Sequence, residues 1–569
     1  MKVGKKRQRS EDLRGEVLFG GYVNNVLLAK SRGETKDYDC LVQNLLNCQG
    51  DPEIMKKYVF GLKNCISSLT KECETLVGAV LLLPWLDKPD EIVNEFIDFL
   101  VNLVSSQTCY LHACLKMLIK HFSPYVVKGS KKMELDEKER LKRAKNTQKA
   151  LQAIMEIVPT ASAHMLPAIV NGYPFIKMSL VHHEFYVTNL LQLAEYRPSM
   201  HLDLLEVICN NLVKIDVEIP KYSLEKTDLD EITQFELDME CESKKENEKS
   251  KSTGDDMAEK LDILMNMMFE FLKNSFYVED VFCEEYAWPM FDKVLEVFLK
   301  VVFPTHDCCH VQFFLFYICS FDEEMVSRFL EVCWMKFQDP NTPVILRQTA
   351  AAYIGSLIAR AKYIKISMIK KCLNLLVSWI HRYIDNINCE LAYPDVDKHG
   401  PFYSLCQAVF YIYVYRHSCL LQEKDGMGFA RRLNFERIVT CKLNPLKICL
   451  SHVVKMFAHV TRYNEVVFCY TIIEKNNRSL PMTAPSFTSS VVAKHSQLNQ
   501  LDSFFPFEPY LLKRSRLFIK DIYREWDGIE PETYISDGEE IDDHVELGKS
   551  PDSLPTSSLN SISDMKISP

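Results

Sequence analysis

The stretch ISMIKKCLNLLVSWIHRYI, residues 366–384, decides the fold class. Apolar side chains recur in it at steps of three and four, with lysine, asparagine and arginine side chains between them. This spacing predicts an amphipathic α-helix with one apolar face. The residues of the apolar face are Ile369, Cys372, Leu373, Leu376, Trp379, Ile380 and Tyr383.

Segments with the same periodicity recur along most of the chain. Prolines fall between these segments, and the alternation of apolar and polar residues that is typical of strands is scarce. Short helices with turns about every 20 residues predict an all-α fold, a HEAT-type α-solenoid of antiparallel helix pairs. No clear self-similar repeat consensus accompanies the pattern. Further predicted helical segments are Glu91–Val104, Leu111–Phe122, Val181–Tyr196, Leu202–Ile215, Leu261–Leu272, Ala287–Val302, Met325–Phe337 and Pro445–Val460.

Composition divides the chain into three regions. Residues 1–19 are basic and are expected to be disordered, residues 20–526 carry the helical repeat pattern, and residues 527–569 form an acidic, serine-rich tail that is expected to be disordered. Polar composition predicts interruptions inside the middle region. They are loops at 128–149 and 238–256, a linker at 479–500 and an aromatic strap at 501–510. Part of 128–149 could instead be an exposed helix held by Glu–Lys pairs.

The cellular compartment follows from cysteine usage and from the absence of membrane signals. Twenty cysteines are spread over 569 residues, mostly inside apolar helical patterns, as expected for free thiols in the cytosol or nucleus. No apolar run approaches the ~18 residues of a membrane span, and the start of the chain does not resemble a secretory signal. A nuclear address or a solvated terminus would each explain Lys5, Lys6, Arg7 and Arg9.

Charge is unevenly distributed. The net charge is −10, but ten acidic residues and no Lys or Arg lie between Glu525 and Glu546. The remainder is close to neutral, so strong nonspecific binding of nucleic acid is not predicted.

Motifs for catalysis or metal binding are weak. His306, Cys308, Cys309 and His310 carry zinc-ligand side chains, but adjacent cysteines rarely reach one metal ion, so core packing and helix capping are the favoured roles. No phosphate-binding glycine loop or nucleophile-elbow motif is present, and His183-Glu184 lacks the second histidine of a zinc-protease helix. These observations favour a binding protein without catalytic residues, metal or cofactor.

A basic and aromatic segment, YIGSLIARAKYIKISMIK (353–370), is a candidate docking ridge. A solvated helix face, a docking site for an acidic protein surface and a DNA-binding face are all compatible with it. The ridge comprises Tyr353, Arg360, Lys362, Lys365, Lys370 and Lys371.

The segment LDSFFPFEPYLLKRS (501–515) predicts an extended aromatic strap. Proline removes a backbone donor and disfavours helix at the preceding residue. The strap therefore either seals the core of this chain or fills a hydrophobic groove of a partner. Its candidate residues are Phe504, Phe505 and Phe507, followed by the basic Lys513 and Arg514.

Together these segments resemble the RNA polymerase I-specific initiation factor family, the TIF-IA family. The resemblance runs in order over most of residues 20–526. The matching stretches are LLLPWL (81–86), FLVNLVSSQT (99–108), PTHDCCHVQFFLFYICSF (304–321), YIGSLIARAKYI (353–364), HGPFYSLCQAVFY (399–411), LNFERI (433–438), LNPLKICL (443–450), VVFCYTIIEKNNR (466–478) and LDSFFPFEPYLLKRS (501–515).

This resemblance implies a non-enzymatic nucleolar factor with a HEAT-type fold. It implies binding to RNA polymerase I near its stalk subunits, recruitment to the promoter-bound selectivity factor at ribosomal RNA genes, control by phosphorylation, and a homodimer that competes with polymerase. The ridge then becomes a candidate for polymerase binding, and the strap for promoter-factor binding or core sealing. A HEAT-type nuclear scaffold or transport receptor is the alternative.

Phosphate control is expected in the tail. Relatives carry an acidic, serine-containing loop where this chain has the basic 128–149, which holds only Ser130, so control there is doubtful. Ser105 and Ser106 are nearby candidates that could instead lie inside a helix. The tail candidates are Ser536, which precedes acidic residues, and Ser550 and Ser568, which precede prolines.

Overall fold

α-Helices form almost all of the regular structure in this computed structural model, which describes residues 19–47, 51–128, 131–219, 248–279, 281–306, 308–387, 393–478 and 505–526. The chain divides into two units after Trp526, and the second unit, Asp527–Pro569, lies outside the described residues. Within the described ranges, no helix has the length and apolar character needed to cross a bilayer. The all-α class predicted from the sequence is confirmed.

Ten helices make up the amino-terminal part. Short 3₁₀ turns connect some of them, at Ile66–Ser68, Lys71–Cys73, Thr108–Tyr110 and Pro198–Met200. The helices are α1 (residues 19–31), α2 (Lys36–Leu46), α3 (Pro52–Lys63), α4 (Glu74–Leu81), α5 (Asp90–Ser106), α6 (Leu111–Lys120), α7 (Glu137–Ile157), α8 (Ala161–Gly172), α9 (Leu180–Tyr196) and α10 (His201–Glu218).

These helices pack in two layers. α3 packs against α5, α5 against α7 and α7 against α9, while α2, α4, α6 and α8 follow one another in the second layer. Each helix therefore contacts the equivalent helix of the next pair, which is the packing of an α-solenoid. The solenoid architecture predicted from helical periodicity is confirmed.

The carboxyl-terminal part contains twelve further described helices. A π-helical turn, Phe298–Val302, extends one of them, and a 3₁₀ turn, Ser515–Phe518, lies near the end. The helices are α11 (Glu248–Phe276), α12 (Glu284–Val297), α13 (Phe313–Ile318), α14 (Glu323–Gln338), α15 (Val344–Arg360), α16 (Ile366–Asn386), α17 (Val396–Gln422), α18 (Gly426–Arg432), α19 (Phe435–Val439), α20 (Pro445–Ile448), α21 (Ser451–Tyr463) and α22 (Tyr470–Arg478).

Helix α17 is the centre of this part. It contacts α15, α16, α18, α20 and α21, and every residue from Gly400 to Val414 is buried. A helix that is apolar on all sides belongs inside a core. Asp395 caps it by accepting from the amide of Asp397 at 3.0 Å. The aromatic rings of this helix therefore belong mostly to the core.

The predicted loop at 128–149 is wrong, and the alternative, a helix over part of this stretch, is what the structure shows. Strands β1 (Tyr125–Lys128) and β2 (Lys131–Glu134) form an antiparallel hairpin, and α7 begins immediately afterwards. Several polar residues in the middle of α7 are buried and hydrogen-bonded: the Asn146 side chain donates to the Leu86 carbonyl at 2.9 Å, and that of Gln148 to the Asn189 carbonyl at 2.9 Å. The polar composition wrongly indicated a loop, because these polar side chains have hydrogen-bond partners inside the core.

Two other boundaries also differ from expectation. The predicted insertion 238–256 lies outside the described residues up to 247, and its final part is the start of α11. The helix predicted over Pro445–Val460 breaks at Cys449, which is extended, so α20 and α21 are separate. A second small hairpin joins β3 (Tyr277–Val278) to β4 (Val281–Phe282). The predicted linker 479–500 is outside the described residues.

Candidate interaction site

The segment that covers the core extends beyond the predicted strap: residues 505–526, called the strap from here on, cover the core formed by α13, α15 and α17. The Phe507 ring is fully buried, with its centroid 5.1 Å from that of Phe316 and 5.7 Å from that of Tyr353. Its amide donates to the Ser356 hydroxyl at 3.0 Å. Phe505 is also buried, whereas Phe504 lies outside the described residues. The sequence predicts two roles for the strap: sealing the core of this chain or filling a groove of a partner. Phe505 and Phe507 have the first role, because both rings are buried in the core of the chain itself.

A carboxylate of α11 anchors the middle of the strap. Asp262 is buried and accepts hydrogen bonds from the amides of Arg514 at 2.7 Å and Ser515 at 2.8 Å. The Ser515 hydroxyl donates to the same carboxylate. These bonds satisfy the first amides of the 3₁₀ turn, as a helix N-cap does. The side chains of Lys513 and Arg514 remain exposed, and Arg514 lies 3.5 Å from Glu259.

Arg360, predicted to lie on an exposed ridge, is instead buried beneath the end of the strap. Its Nε donates to the Tyr411 hydroxyl at 2.8 Å, and its guanidinium lies 4.3 Å from the Tyr415 ring centroid. Nη2 is 3.7 Å from the Glu508 carboxylate. Burial lowers the pKa of Arg360, but the tyrosine side chains and Glu508 outweigh it and the net shift is upward.

Backbone hydrogen bonds close the strap against the same helix end. The Arg524 amide donates to the Arg360 carbonyl at 2.7 Å, and the Lys362 amide donates to the Ile522 carbonyl at 2.9 Å. This short antiparallel bridge covers Arg360, which explains why the ridge prediction was wrong for this residue. The partner segment is more than 150 residues away in the sequence, so local charge patterning could not reveal the burial.

The other ridge residues do not share one surface with Arg360. Tyr353 is only 1% exposed and belongs to the core, so its predicted surface role is also wrong. Lys362, Lys365 and Lys371 are exposed, and Lys370 is half-buried. Lys365 forms an ion pair with Glu323, and Lys370 lies 3.6 Å from Glu423. The predicted ridge is reduced to lysines at the turn between α15 and α16 and along α16.

The structure also contains a buried arginine that sequence reasoning missed. Arg416 of α17 donates from Nε to the Ile358 carbonyl at 2.7 Å and from Nη2 to the Ala361 carbonyl. Both carbonyls lie at the carboxyl end of α15, where a cation is favourable. Burial, with the nearby charge of Arg524, lowers the pKa of Arg416 to about 10. The only sign of this burial in the sequence is that Arg416 lies within a run of apolar residues.

Comparison with known proteins gives the family. The model of the family described as "RNA polymerase I specific transcription initiation factor RRN3" matches residues 15–531. The chain belongs to the RRN3 family. The mouse factor named RRN3 is 38% identical over 542 residues, covering 90% of this chain and 81% of the relative. The fission yeast factor rrn3 is 26% identical over 580 residues, covering 95% of this chain and 90% of the relative.

A solved structure supports the fold of this RRN3 family member. The crystal structure of RNA polymerase I transcription initiation factor Rrn3 superposes with a TM-score of 0.70 at 21% identity, covering 90% of this chain and 99% of the other. The relatives are named as transcription initiation factors, so no catalytic activity is indicated. The family resemblance read from the sequence motifs is confirmed.

A buried carboxylate gives Cys308, Cys309 and His310 a structural role in this RRN3 family member. Buried Asp216 accepts from the amides of Cys309 at 2.9 Å and His310 at 2.7 Å, and its other oxygen is 2.8 Å from His310 Nδ1. Burial raises the pKa of Asp216, but His310 and the Cys308 thiol outweigh it and the net shift is downward. The described residues contain no group of three His, Cys, Asp or Glu side chains arranged to hold a metal ion.

The candidate phosphorylation sites differ in what the structure shows. Ser105 and Ser106 are exposed at the carboxyl end of α5. The tail candidates Ser536, Ser550 and Ser568 lie outside the described residues.

Proposed function

We propose that this chain is an RNA polymerase I initiation factor that binds the polymerase and recruits it to the promoter-bound selectivity factor at ribosomal RNA genes. The observation that carries the proposal is the RRN3 family match over residues 15–531, which includes the strap. An initiation factor for this polymerase works in the nucleus, and we place this one in the nucleolus. A HEAT-type transport receptor is disfavoured because the family match is to initiation factors.

The lysines of the α15–α16 turn are the polymerase-side candidates. Lys362 and Lys365 project into solvent from a turn that the strap and the core hold in place, and Lys371 does so from the first turns of α16. Exposed lysines on a rigid support suit an acidic protein surface, because ordering them on binding costs less than ordering a flexible loop. Contact with stalk-side subunits, promoter-factor binding near Lys513 and Arg514, and competition by a homodimer are further parts of the proposal.

The tail serines would modulate this binding. Phosphate at Ser536, Ser550 or Ser568 adds nearly two negative charges beside an already acidic sequence. An acidic partner surface would then be repelled. Comparing phosphorylated and dephosphorylated protein in the binding assay below separates this effect from docking itself.

Immunoprecipitation from nuclear extract tests the function. The tagged chain should recover subunits of RNA polymerase I without those of the other two nuclear polymerases. Failure to recover them with folded bait, both phosphorylated and dephosphorylated, would contradict the proposal.

A charge-reversal triple variant tests the docking site. Changing Lys362, Lys365 and Lys371 to Glu should abolish capture of purified RNA polymerase I while leaving the helical circular dichroism unchanged. Reversing Lys116, Lys120 and Lys138, exposed lysines of α6 and α7, is the matched control and should preserve capture. An equal loss of polymerase capture in both variants would contradict docking through Lys362, Lys365 and Lys371. The affinity for duplex DNA should also be measured at several salt concentrations. A steep fall of log affinity with log salt would indicate that these lysines form a DNA-binding face instead.

A further inference from the structure

The solvent-facing side of α21 carries two cations, Lys455 and Arg462, about two helical turns apart. Its buried residues, Val453, Val454, Met456, Phe457, Ala458, Val460 and Thr461, cover the side that packs on α17. The opposite side contains no carboxylate. It consists of Ser451, His452, Lys455, His459, Arg462 and Tyr463, spaced at intervals that bring them to one face of a helix.

Exposed aromatic rings lie at the end of this face. Tyr463 is 73% exposed and Phe468 is 67% exposed. Phe468 faces solvent, whereas the side chains on either side of it, Val467 and Cys469, are buried. The Arg462 guanidinium lies 5.3 Å from the ring centroid of Tyr470. Large aromatic rings this exposed have no role in the core of the chain.

The neighbouring helices add positive charge. α20 packs against α21 and α22, and the side chains of Asn444 and Asn476 hydrogen-bond at 2.6 Å between α20 and α22. Residues 441–478 contain six Lys or Arg and two Glu, although the whole chain is acidic. One of the two, Glu474, forms an ion pair with Arg478. Lys447 and Lys475 are exposed on these helices.

We propose that this α21 surface, defined by Lys455, Arg462, Tyr463 and Phe468, binds single-stranded nucleic acid. Cations contact the phosphates along the helix, which is about 20 Å long, and bases stack on the rings at its end. Charge alone would also suit an acidic peptide, but outward-facing rings beside cations favour bases, since every base presents a flat π surface. The inference is independent of polymerase binding and lies on different helices from the α15–α16 turn.

Fluorescence anisotropy with the full-length chain tests this inference. The probes are labelled 12-nucleotide oligodeoxythymidine and oligouridine, titrated at several salt concentrations. The double variant Tyr463→Ala, Phe468→Ala should bind at least about tenfold more weakly, because each stacked base loses its platform. Since both rings are exposed, the variant should fold as the original does. The variant Lys455→Ala, Arg462→Ala should flatten the plot of log affinity against log salt, by about 0.7 for each lost phosphate contact.

The control is Phe175→Ala, which removes an equally exposed ring from the turn between α8 and α9. It should leave the affinity unchanged. No binding of either oligonucleotide, or equal losses in the control and the double ring variant, would overturn the proposal. Binding of a labelled 12-residue polyglutamate peptide as tight as that of the oligonucleotides, and unaffected by loss of the rings, would also overturn it in favour of an acidic protein partner.

Discussion

The Phe505 ring lies flat against the Tyr411 ring, with centroids 3.8 Å apart and planes inclined by 13°. The hydroxyl of the same tyrosine accepts the hydrogen bond from Arg360 Nε. The Phe505 ring therefore covers the tyrosine ring whose hydroxyl binds the buried guanidinium of Arg360. Strap closure and arginine burial are two parts of one arrangement, so disturbing the ring should expose the charge.

Replacing Phe505 with Ala should release this end of the strap. Loss of a buried phenylalanine costs about 3–5 kcal/mol, with the lower end expected here because the strap can detach instead of leaving a cavity. We expect a lower unfolding midpoint and faster amide exchange over residues 505–526. Leu517→Ala is the control, since this strap side chain is 78% exposed. Unchanged exchange in Phe505→Ala would show that the strap is held without its first ring.

Asp262 should be the second support of the strap. Removing its carboxylate leaves the amides of Arg514 and Ser515 without their acceptor, at an expected cost of about 2 kcal/mol for Asp262→Ala. Asp262→Asn keeps one acceptor oxygen and should lose less. Amide exchange at residues 510–518 measures the effect. Asp292→Ala, at an exposed position on α12, should leave that exchange unchanged. Equal protection of these amides from exchange in all three variants would show that Asp262 does not anchor the strap.

The helices could be predicted from the sequence because their signal is local. The stretch 366–384 became α16, Ile366–Asn386, since the apolar spacing in itself specifies a buried face. The hidden helix α7 shows the limit of this reasoning. Its buried Asn146 and Gln148 gain partners from α9 and from the chain before α5, and no local pattern reports partners that are distant in sequence.

The candidate site was only partly predictable for the same reason. The prolines of the strap indicated extended backbone, but not which core it would cover. Arg360 looked like its neighbouring lysines because all of them are cations near a helix end. The difference is a strap that returns from residue 524 to bond the helix terminus, which only the tertiary structure shows.

Gly355 should be required for the close packing of α15 on α17. A Cβ atom at this position would lie 2.8 Å from the Ala408 Cβ and 3.0 Å from its Cα. Gly355→Ala should therefore destabilise the protein by about 1–3 kcal/mol through overpacking. Gly78→Ala is the matched control in helix α4, where an added Cβ meets nothing within 4 Å. It should be neutral or stabilising by up to about 1 kcal/mol. Urea unfolding midpoints shifted in the same direction would contradict this account.

The buried His183 should make stability depend on pH. Burial and the nearby charge of Lys260 lower its pKa to about 4, from an ordinary value of 6.5. The folded state thus holds a neutral ring, 3.1 Å from the Phe175 carbonyl, while the unfolded chain takes up a proton near pH 6.5. The contribution of the neutral His183 to the free energy of unfolding is therefore complete above pH 6.5 and is lost as pH falls towards 4. It amounts to at most about 3 kcal/mol.

Unfolding midpoints measured from pH 7.5 to pH 4.5 test this dependence. The midpoint of the original chain should fall steadily over that range, and the fall should be smaller in His183→Gln. His121 adds a second contribution in the same direction, because burial and Arg143 lower its pKa to about 3, so part of the slope should remain. His112→Gln, at an exposed position on α6, is the control and should keep the full slope. Identical slopes in all three proteins would mean that His183 does not contribute to the acid sensitivity.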